Sequence, residues 1–388
     1  MTADEGLALS LVRGDALIRL QTRIGLVPKG GLGVGRRAVA LALLTWLPIS
    51  LWALLSGHAL PSGTGEQLLQ HFGVQVRCLI AIPLFVIAEG VAHGLTPRLL
   101  PYFVSSGLVT EADRPRFREI VLSVGRLRDR TLPWVLILGL VLAAQTFRPG
   151  EGHELDWARE GAAPLNLGFG AWWYAWVARP IFLALLLGWL WRLILISVLF
   201  LRISRLDLAL VPTHPDGNGG LGFLAGVPTV FSPVVLAMSA VLASRFAHDV
   251  LYHEVAVKTL YPQMIAALVI ALIVFLAPLL LWVPTLGAAK RRALLEYGAL
   301  VGEHGRLVRR RWIQRQPIAD DSLLGAQEIG PVADTITLYD AVRKMRPVPI
   351  GRSSLLMIAL AAALPMLPVL AIEIPIRELL LKLLSAIA

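Results

Sequence analysis

The sequence predicts an all-α, polytopic transmembrane helical bundle of about seven spans, and three observations support this fold class. The 388-residue chain is 56% hydrophobic and 16% charged, whereas a soluble domain is about 45–50% apolar and about 25% charged. Its apolar residues are gathered into continuous blocks of about 16–22 residues, the length that crosses a hydrocarbon core as a helix. The blocks lack the period-two alternation of a transmembrane β-barrel, which excludes that architecture.

Seven stretches have the length and low polarity of a membrane span, and the third and seventh are the shortest. They comprise residues 38–57, 74–95, 132–147, 181–201, 223–243, 264–283 and 355–372. Because the first stretch begins well behind the N-terminus, we expect it to remain as an uncleaved signal-anchor span.

The distribution of Lys and Arg predicts which loops face the cytoplasm, since cations near span ends are retained on that side. Most of the 36 lysines and arginines fall in segments 1–37, 96–131, 202–222 and 284–354. If the seven spans alternate in direction, all four segments lie on one side. We therefore expect a cytoplasmic N-terminus and a C-terminus outside, and the same bias explains the net charge of +10 without a nucleic-acid partner.

The chain is expected to divide into four regions. These are a cytoplasmic N-terminal segment (1–37), a membrane domain with the first six spans (38–283), a basic cytoplasmic helical segment (284–354), and the last span with an outer interfacial helix (355–388). Within the first region, residues 7–24 have the pattern of an amphipathic helix in the inner interface. The membrane domain contains an amphipathic cytoplasmic loop, 96–131, and a glycine-rich loop, 212–222.

Two kinds of partner are expected at the cytoplasmic face. Arg309, Arg310 and Arg311 with Trp312 form a basic aromatic cluster at a helix end, which suits the anionic headgroups of the lipid bilayer. The segment 284–354, about 70 residues long, is too small for an independent enzyme core. We expect it to pack against the spans or against a protein partner.

Glu89 and Arg192 are the ionisable groups placed deepest in the predicted spans, where a charge tends to face a cavity or a partner. Their depths from the inner ends of their spans differ by about one helical turn, so the side chains are able to pair. We predict an intramembrane charge pair, either a lock between two helices or a substrate-binding or coupling pair. We also expect the loss of one partner to destabilise the protein more than the loss of both. His93 follows Glu89 by one turn and is a candidate polar relay.

The loop between the fourth and fifth predicted spans is the most distinctive local feature. Its candidate functional residues are His214, Asp216, Gly217, Asn218, Gly219, Gly220 and Gly222. Two interpretations stay open. The loop is either a tight turn, in which Pro215 fixes the backbone and Asp216 caps it, or a gate or nest of backbone N–H groups that binds an anion.

No pattern in the sequence indicates catalysis, so we expect neither an enzyme nor a cofactor. The GxSxG and HExxH motifs of membrane hydrolases are absent, and Cys78 is the single cysteine. Five histidines lie in segments predicted to be outside: His58, His71, His153, His248 and His253. The spacing of the last two is not the one-turn spacing of helical zinc sites, so no metal site is assigned.

Three motifs carry a resemblance to known proteins: HPDGNGGLGFL at 214–224, MRPVP at 345–349 and LPMLP at 364–368. Together they are similar to a family of uncharacterised bacterial polytopic integral membrane proteins, over most of the chain. The resemblance implies a multi-pass protein of the bacterial inner membrane and brings no activity with it.

Two functional hypotheses follow from the sequence. The first is a transporter or channel-like protein for an unidentified small solute, based on the proline-broken spans, on Glu89 and Arg192, and on the glycine loop. The alternative is a non-catalytic membrane scaffold or signalling subunit that acts through its cytoplasmic helices. A polar cavity joining Glu89, Arg192 and the 214–222 loop favours transport, whereas a dry, packed bundle favours the scaffold.

Overall fold

The computed structural model describes residues 14–28, 31–60, 67–146, 156–158, 168–316 and 330–373, together with Ser10 and Val12. Most of these residues are helical, and none of them forms a strand. Six helices in this part of the chain are long and apolar enough to cross a membrane. The protein is therefore an all-α helical bundle of the multi-pass membrane class.

The helices are labelled here in chain order. They are α1 (Ala16–Arg23), α2 (Val34–Leu55), α3 (Phe72–Ser105), α4 (Arg114–Asp129), α5 (Thr131–Thr146), α6 (Phe169–Ile203), α7 (Ser232–Tyr252), α8 (Val257–Leu280), α9 (Val283–Val308), α10 (Gly330–Lys344) and α11 (Arg352–Ile372). A 3₁₀ segment, Gly222–Val230, precedes α7. The six long apolar helices are α2, α3, α6, α7, α8 and α11.

The start of α2 depends on a glycine. Gly33 has a φ of 55°, in the left-handed region that side chains with a Cβ rarely adopt. A Cβ at this position would lie 2.4 Å from Pro28 Cδ, so the turn also has no room for one. Beyond this turn α2 points several leucines outward, among them Leu51 and Leu54, as a helix facing lipid does.

Two of the long helices contain a π-helical stretch in front of a proline. Arg77–Ala81 in α3 is followed by Pro83, and Tyr174–Ala178 in α6 is followed by Pro180. A proline inside a helix removes one N–H donor and clashes with the preceding turn, and a π-helical widening accommodates that defect. The two stretches are neighbours, because Arg77 donates a hydrogen bond to the Tyr174 hydroxyl.

The third predicted span corresponds to α5, which has 16 residues. At about 1.5 Å per residue it is about 24 Å long, less than the hydrocarbon thickness of about 30 Å, so it is not among the six. Residue 147, the last of the predicted span, lies outside the described residues. One face of α5 is nonetheless apolar and exposed, as Leu132 (65%), Leu136 (60%) and Leu140 (58%) show.

Contacts distinguish two ends of the bundle, named here the loop end and the tryptophan end. The loop end holds α4 and the 206–222 segment, where Ala209 N donates to Leu108 O at 2.9 Å. The tryptophan end holds Trp52, whose ring packs against Trp157 with 6.0 Å between centroids. Helix α5 starts beside α4, and the next described residues, 156–158, lie at the tryptophan end.

The core lies where α3, α6, α7 and the start of α9 meet. Trp282, fully buried, contacts Phe103 and Phe200 with 6.0 and 5.7 Å between ring centroids. Trp189 is also buried and donates its indole N–H to Phe85 O at 3.0 Å, which satisfies the only polar atom of that side chain. These large rings fix α6 against α3 next to the charged residues described below.

Helices α9 and α10 pack against each other and project from the bundle. In α9 only Leu286 and Ala293 are buried, and α10 returns the chain to the glycine loop at Met345. The last span is interrupted by a 3₁₀ turn at Leu364–Met366. The expected outer interfacial helix lies in 374–388, outside the described residues.

Candidate functional site

The side chains of Glu89 and Arg192 are in direct contact between α3 and α6. Arg192 Nη2 lies 2.9 Å from Glu89 Oε1. Glu89 is 0% exposed and Arg192 is 1% exposed. Arg192 also lies over the Trp189 ring, 4.8 Å from its centroid, a distance at which a cation and a π system attract.

The contact belongs to a larger buried network, named here the charge network: Asp15, Gln21, Arg37, Glu89 and Arg192. Arg37 Nη2 binds the other carboxylate oxygen of Glu89 at 2.5 Å, and Arg192 Nη2 also binds Asp15 Oδ2 at 2.8 Å. Arg37 Nε donates to Gln21 Oε1 at 2.5 Å. Two carboxylates thus balance two guanidinium groups.

Helix α1 brings Asp15 and Gln21 into this network. Asp15 is the N-cap of α1, and its Oδ1 accepts a hydrogen bond from Leu17 N at 3.2 Å, the usual role of aspartate at that position. Its second oxygen is left for Arg192. Within the interfacial helix predicted at 7–24, the structure packs Asp15 and Ile18 against the bundle, at 1% and 6% exposure.

The balance of charge matters because burial of ions is costly. Moving an ion out of water costs several kcal/mol even in real proteins, and only well-made pairs offset that cost. In the charge network each carboxylate has an arginine within 3 Å. The arrangement is that of a structural lock holding α1, α2, α3 and α6 together.

Two N–H groups of the network have no hydrogen-bond partner among the described residues, Arg37 Nη1 and Arg192 Nε. The predicted relay residue His93 lies one turn after Glu89, half-buried, and its Nδ1 likewise has no partner in the described part of the chain. No side-chain hydrogen bond joins His93 to Glu89 among the described residues.

The glycine loop folds around the carboxylate of Asp216. Its Oδ1 accepts hydrogen bonds from Asn218 N at 2.8 Å and Gly220 N at 3.2 Å, and its Oδ2 accepts one from Gly222 N at 2.7 Å. Positive φ angles make this possible: 66° at Gly217, 65° at Gly219 and 96° at Gly220. The nest of N–H groups predicted as an anion site is filled by the protein itself, which supports the turn interpretation over the gate.

The chemistry of Asp216 agrees with this role. Burial raises the pKa of the carboxyl, but the three backbone N–H donors and His214, 3.0 Å away, outweigh burial and hold the pKa below its ordinary value. Asp216 is therefore ionised at neutral pH and acts as an internal anion for the loop.

The glycine loop is tied to the MRPVP motif, about 130 residues further along the chain. Asn218 Nδ2 donates to Arg346 O at 3.1 Å and to Val348 O at 3.0 Å. In return Arg346 N donates to Gly217 O at 2.7 Å, and its guanidinium donates to Asn218 Oδ1 at 3.2 Å. Lys290 of α9 donates to Met345 O at 2.6 Å. Two of the three motifs behind the family resemblance thus form one docked unit.

Three of the five histidines predicted to be outside lie together at the tryptophan end. The His71 and His248 rings, and the His248 and His253 rings, are each 5.3 Å apart between centroids. His58 instead stacks on Trp52, and His153 lies outside the described residues. Among the residues described, no group of three or more His, Cys, Asp or Glu side chains has the arrangement of a metal site.

No family model, curated protein or solved structure matches this chain. Function is therefore inferred from the geometry. The sequence singled out Glu89 and Arg192 but not Asp15, Arg37 or Gln21. The sequence gives only weak indications of these residues: an aspartate in a helix-capping position at 15, and an arginine directly before the first predicted span at 37.

Proposed function

We propose that the protein is a non-catalytic membrane scaffold or signalling subunit, which holds the α9–α10 hairpin for a protein partner in the cytoplasm. The observation that carries the proposal is the closure of the charge network. Glu89, Arg37, Arg192 and Asp15 are each 0–1% exposed and are bound to one another. A transport path through these charges requires that water or solute reaches them.

The α9–α10 hairpin supplies the surface for a partner. Helix α9 has 26 residues, so it is about 39 Å long, and most of it lies away from the spans. Its end carries Trp312 at 65% and Ile313 at 74% exposure, directly after three arginines. An aromatic and basic surface of this kind is typical of interaction sites.

Transport of a small solute is the second candidate, and one observation favours it. The unpartnered N–H groups of Arg37 and Arg192 lie inside the bundle, and a buried donor without an acceptor costs about 1–3 kcal/mol. A conformation that admits a solute anion or water satisfies both groups. Pro48 within α2 and Pro278 within α8 are sites where such helices bend.

Cysteine accessibility separates the two candidates. In a Cys78→Ala background, Ala88→Cys and Ile196→Cys place a thiol beside the network at positions that are 0% and 4% exposed. We expect a membrane-impermeant methanethiosulfonate to leave both unmodified from either side of the membrane, while exposed Ser106→Cys reacts from one side. Modification of Ala88→Cys or Ile196→Cys at the rate of Ser106→Cys contradicts a closed bundle and favours transport.

The proposed address is the bacterial inner membrane, with the N-terminus and the loop end in the cytoplasm and the C-terminus outside. The cation-rich α4, the glycine loop and the α9–α10 hairpin all meet or begin at the loop end. The positive-inside rule supports a cytoplasmic position for that end.

Reporter fusions test this orientation. A reporter fused after Gln314, in the basic segment, is expected to stay cytoplasmic, and one fused after Glu254, between α7 and α8, is expected to be exported. An alkaline phosphatase and a green fluorescent protein fused at each site give opposite signals, so each serves as a control for the other. An exported Gln314 fusion contradicts the orientation.

A further inference from the structure

A groove of about 440 Å³ lies on the outside of the bundle, between α3 and the 3₁₀ segment Gly222–Val230. It shares no lining residue with the charge network, and it adjoins the glycine loop at Phe223. Val91, Leu95 and Phe223 contribute its apolar lining, and Arg98 and Tyr102 contribute its polar groups. Its volume falls in the range of small-molecule pockets, about 300–1,000 Å³.

Two glycines on opposite sides of the groove keep it open, because neither has a side chain that fills it. A Cβ placed on Gly94 of α3, or on Gly226 of the 3₁₀ segment, would meet no atom within 4 Å. Both glycines line the groove. Neither has the positive φ that would require glycine, so the turn geometry does not explain them, whereas an open groove does.

The polarity of the groove changes along α3. Val91 lies towards the middle of the helix, and Arg98 and Tyr102 lie two to three turns nearer the loop end. Helix α3 has 34 residues, about 51 Å at 1.5 Å per residue, so it extends beyond a hydrocarbon core of about 30 Å. This length allows the apolar part of the groove to lie in the hydrocarbon while Arg98 reaches the level of the headgroups.

Arg98 has the properties of a headgroup ligand. It is exposed, and among the described residues no carboxylate pairs with it. Arginine binds phosphate through its planar fork of donors, and the Tyr102 hydroxyl, 44% exposed as a residue, is a further donor at the same end. An apolar ligand without an anionic group would leave both polar groups unused.

We propose that this groove binds one anionic phospholipid, with the phosphate at Arg98 and an acyl chain along Val91, Gly94 and Gly226. The assignment follows from charge complementarity at one end and from an apolar, lipid-facing surface at the other. It is independent of whether the protein is a scaffold or a transporter.

The test measures thermal stabilisation of the purified full-length protein in neutral detergent micelles. Dioleoylphosphatidylglycerol is titrated against dioleoylphosphatidylcholine and against inorganic phosphate. Phosphatidylglycerol is expected to raise Tm saturably, and Arg98→Gln is expected to weaken half-saturation about fivefold, the effect of one surface cation on anionic lipid. Arg118→Gln, an exposed cation on α4, is the matched control and should leave half-saturation unchanged.

A second pair of variants tests the acyl-chain part. A Cβ at Gly94 meets no atom within 4 Å, so Gly94→Leu is expected to fill the groove and remove the saturable shift while Tm without lipid stays the same or rises. Gly139→Leu adds the same side chain at another open, exposed glycine, on α5, and should retain the shift. The proposal is overturned if phosphatidylcholine or phosphate alone gives an equal shift, or if Arg98→Gln and Gly94→Leu both respond as the unaltered protein does.

Discussion

Replacing Arg192 with methionine is expected to destabilise the protein by about 3–5 kcal/mol, the cost of removing one member of a buried ion pair. Methionine fills a similar length of space but leaves Asp15 without its charged partner. Glu89 keeps Arg37, so the loss is concentrated at the contact between α1 and α6. Reversible unfolding in mixed micelles of dodecyl sulfate and neutral detergent measures the change in the free energy of unfolding.

Arg205→Met is the matched control for this change. Arg205 follows the end of α6 and is exposed, and surface charges contribute about 0–1 kcal/mol. We expect Arg205→Met to change the free energy of unfolding by less than about 1 kcal/mol. Equal effects of the two variants would contradict the claim that Arg192 belongs to a closed network.

Replacing Asp216 with alanine is expected to cost about 3 kcal/mol, because hydrogen bonds to a charged group contribute about 1.5–3 kcal/mol each and the loop is partly hydrated. The change leaves the N–H groups of Asn218, Gly220 and Gly222 without their acceptor. We expect hydrogen exchange to rise in residues 211–222 and also in 345–348, because the two segments are bonded to each other.

Asp207→Ala is the control for Asp216→Ala, since Asp207 lies exposed on the same connection. It should leave exchange in both segments unchanged. If Asp216→Ala raises exchange in 211–222 alone, the docking on MRPVP does not depend on the carboxylate. If protection is unchanged in both segments, the carboxylate is not the organising group of the loop.

The sequence predicted the helical bundle because a membrane span is recognised from the length and low polarity of one continuous stretch of residues. It also predicted that Glu89 and Arg192 are close, because opposite charges at similar depth in one bundle offset the cost of burial by pairing. It did not predict Asp15 or Arg37. Charges outside or at the edge of a span are expected to reach water, and only the packing of α1 against the bundle shows that these two do not.

The glycine loop shows the same division between local and distant information. The turn and the capping role of Asp216 follow from the local order of proline, aspartate and glycine. The Arg346 backbone and side chain that bind the loop are separated from it by about 130 residues, and no local rule joins them. The π-helical stretches were likewise not predicted, although the prolines that follow them were visible.

The network also changes one expectation drawn from the sequence. Removal of Glu89 and Arg192 together was expected to be milder than removal of either one. In the structure that double change leaves Asp15 and Arg37 each without its ionic partner. Removing Arg192 together with Asp15 instead takes away one positive and one negative charge that bind each other. This double change leaves the 2.5 Å contact between Arg37 and Glu89 intact.

A double-mutant cycle on Arg192 and Asp15 is the most direct test of the closed charge network. Asparagine at 15 keeps an N-cap for α1, so Asp15→Asn removes the charge and little else. We expect Arg192→Met with Asp15→Asn to be more stable than Arg192→Met alone, with a coupling free energy of about 1–3 kcal/mol. Strictly additive losses would contradict the account, because they would mean that α1 is not bound to α6 through these two side chains.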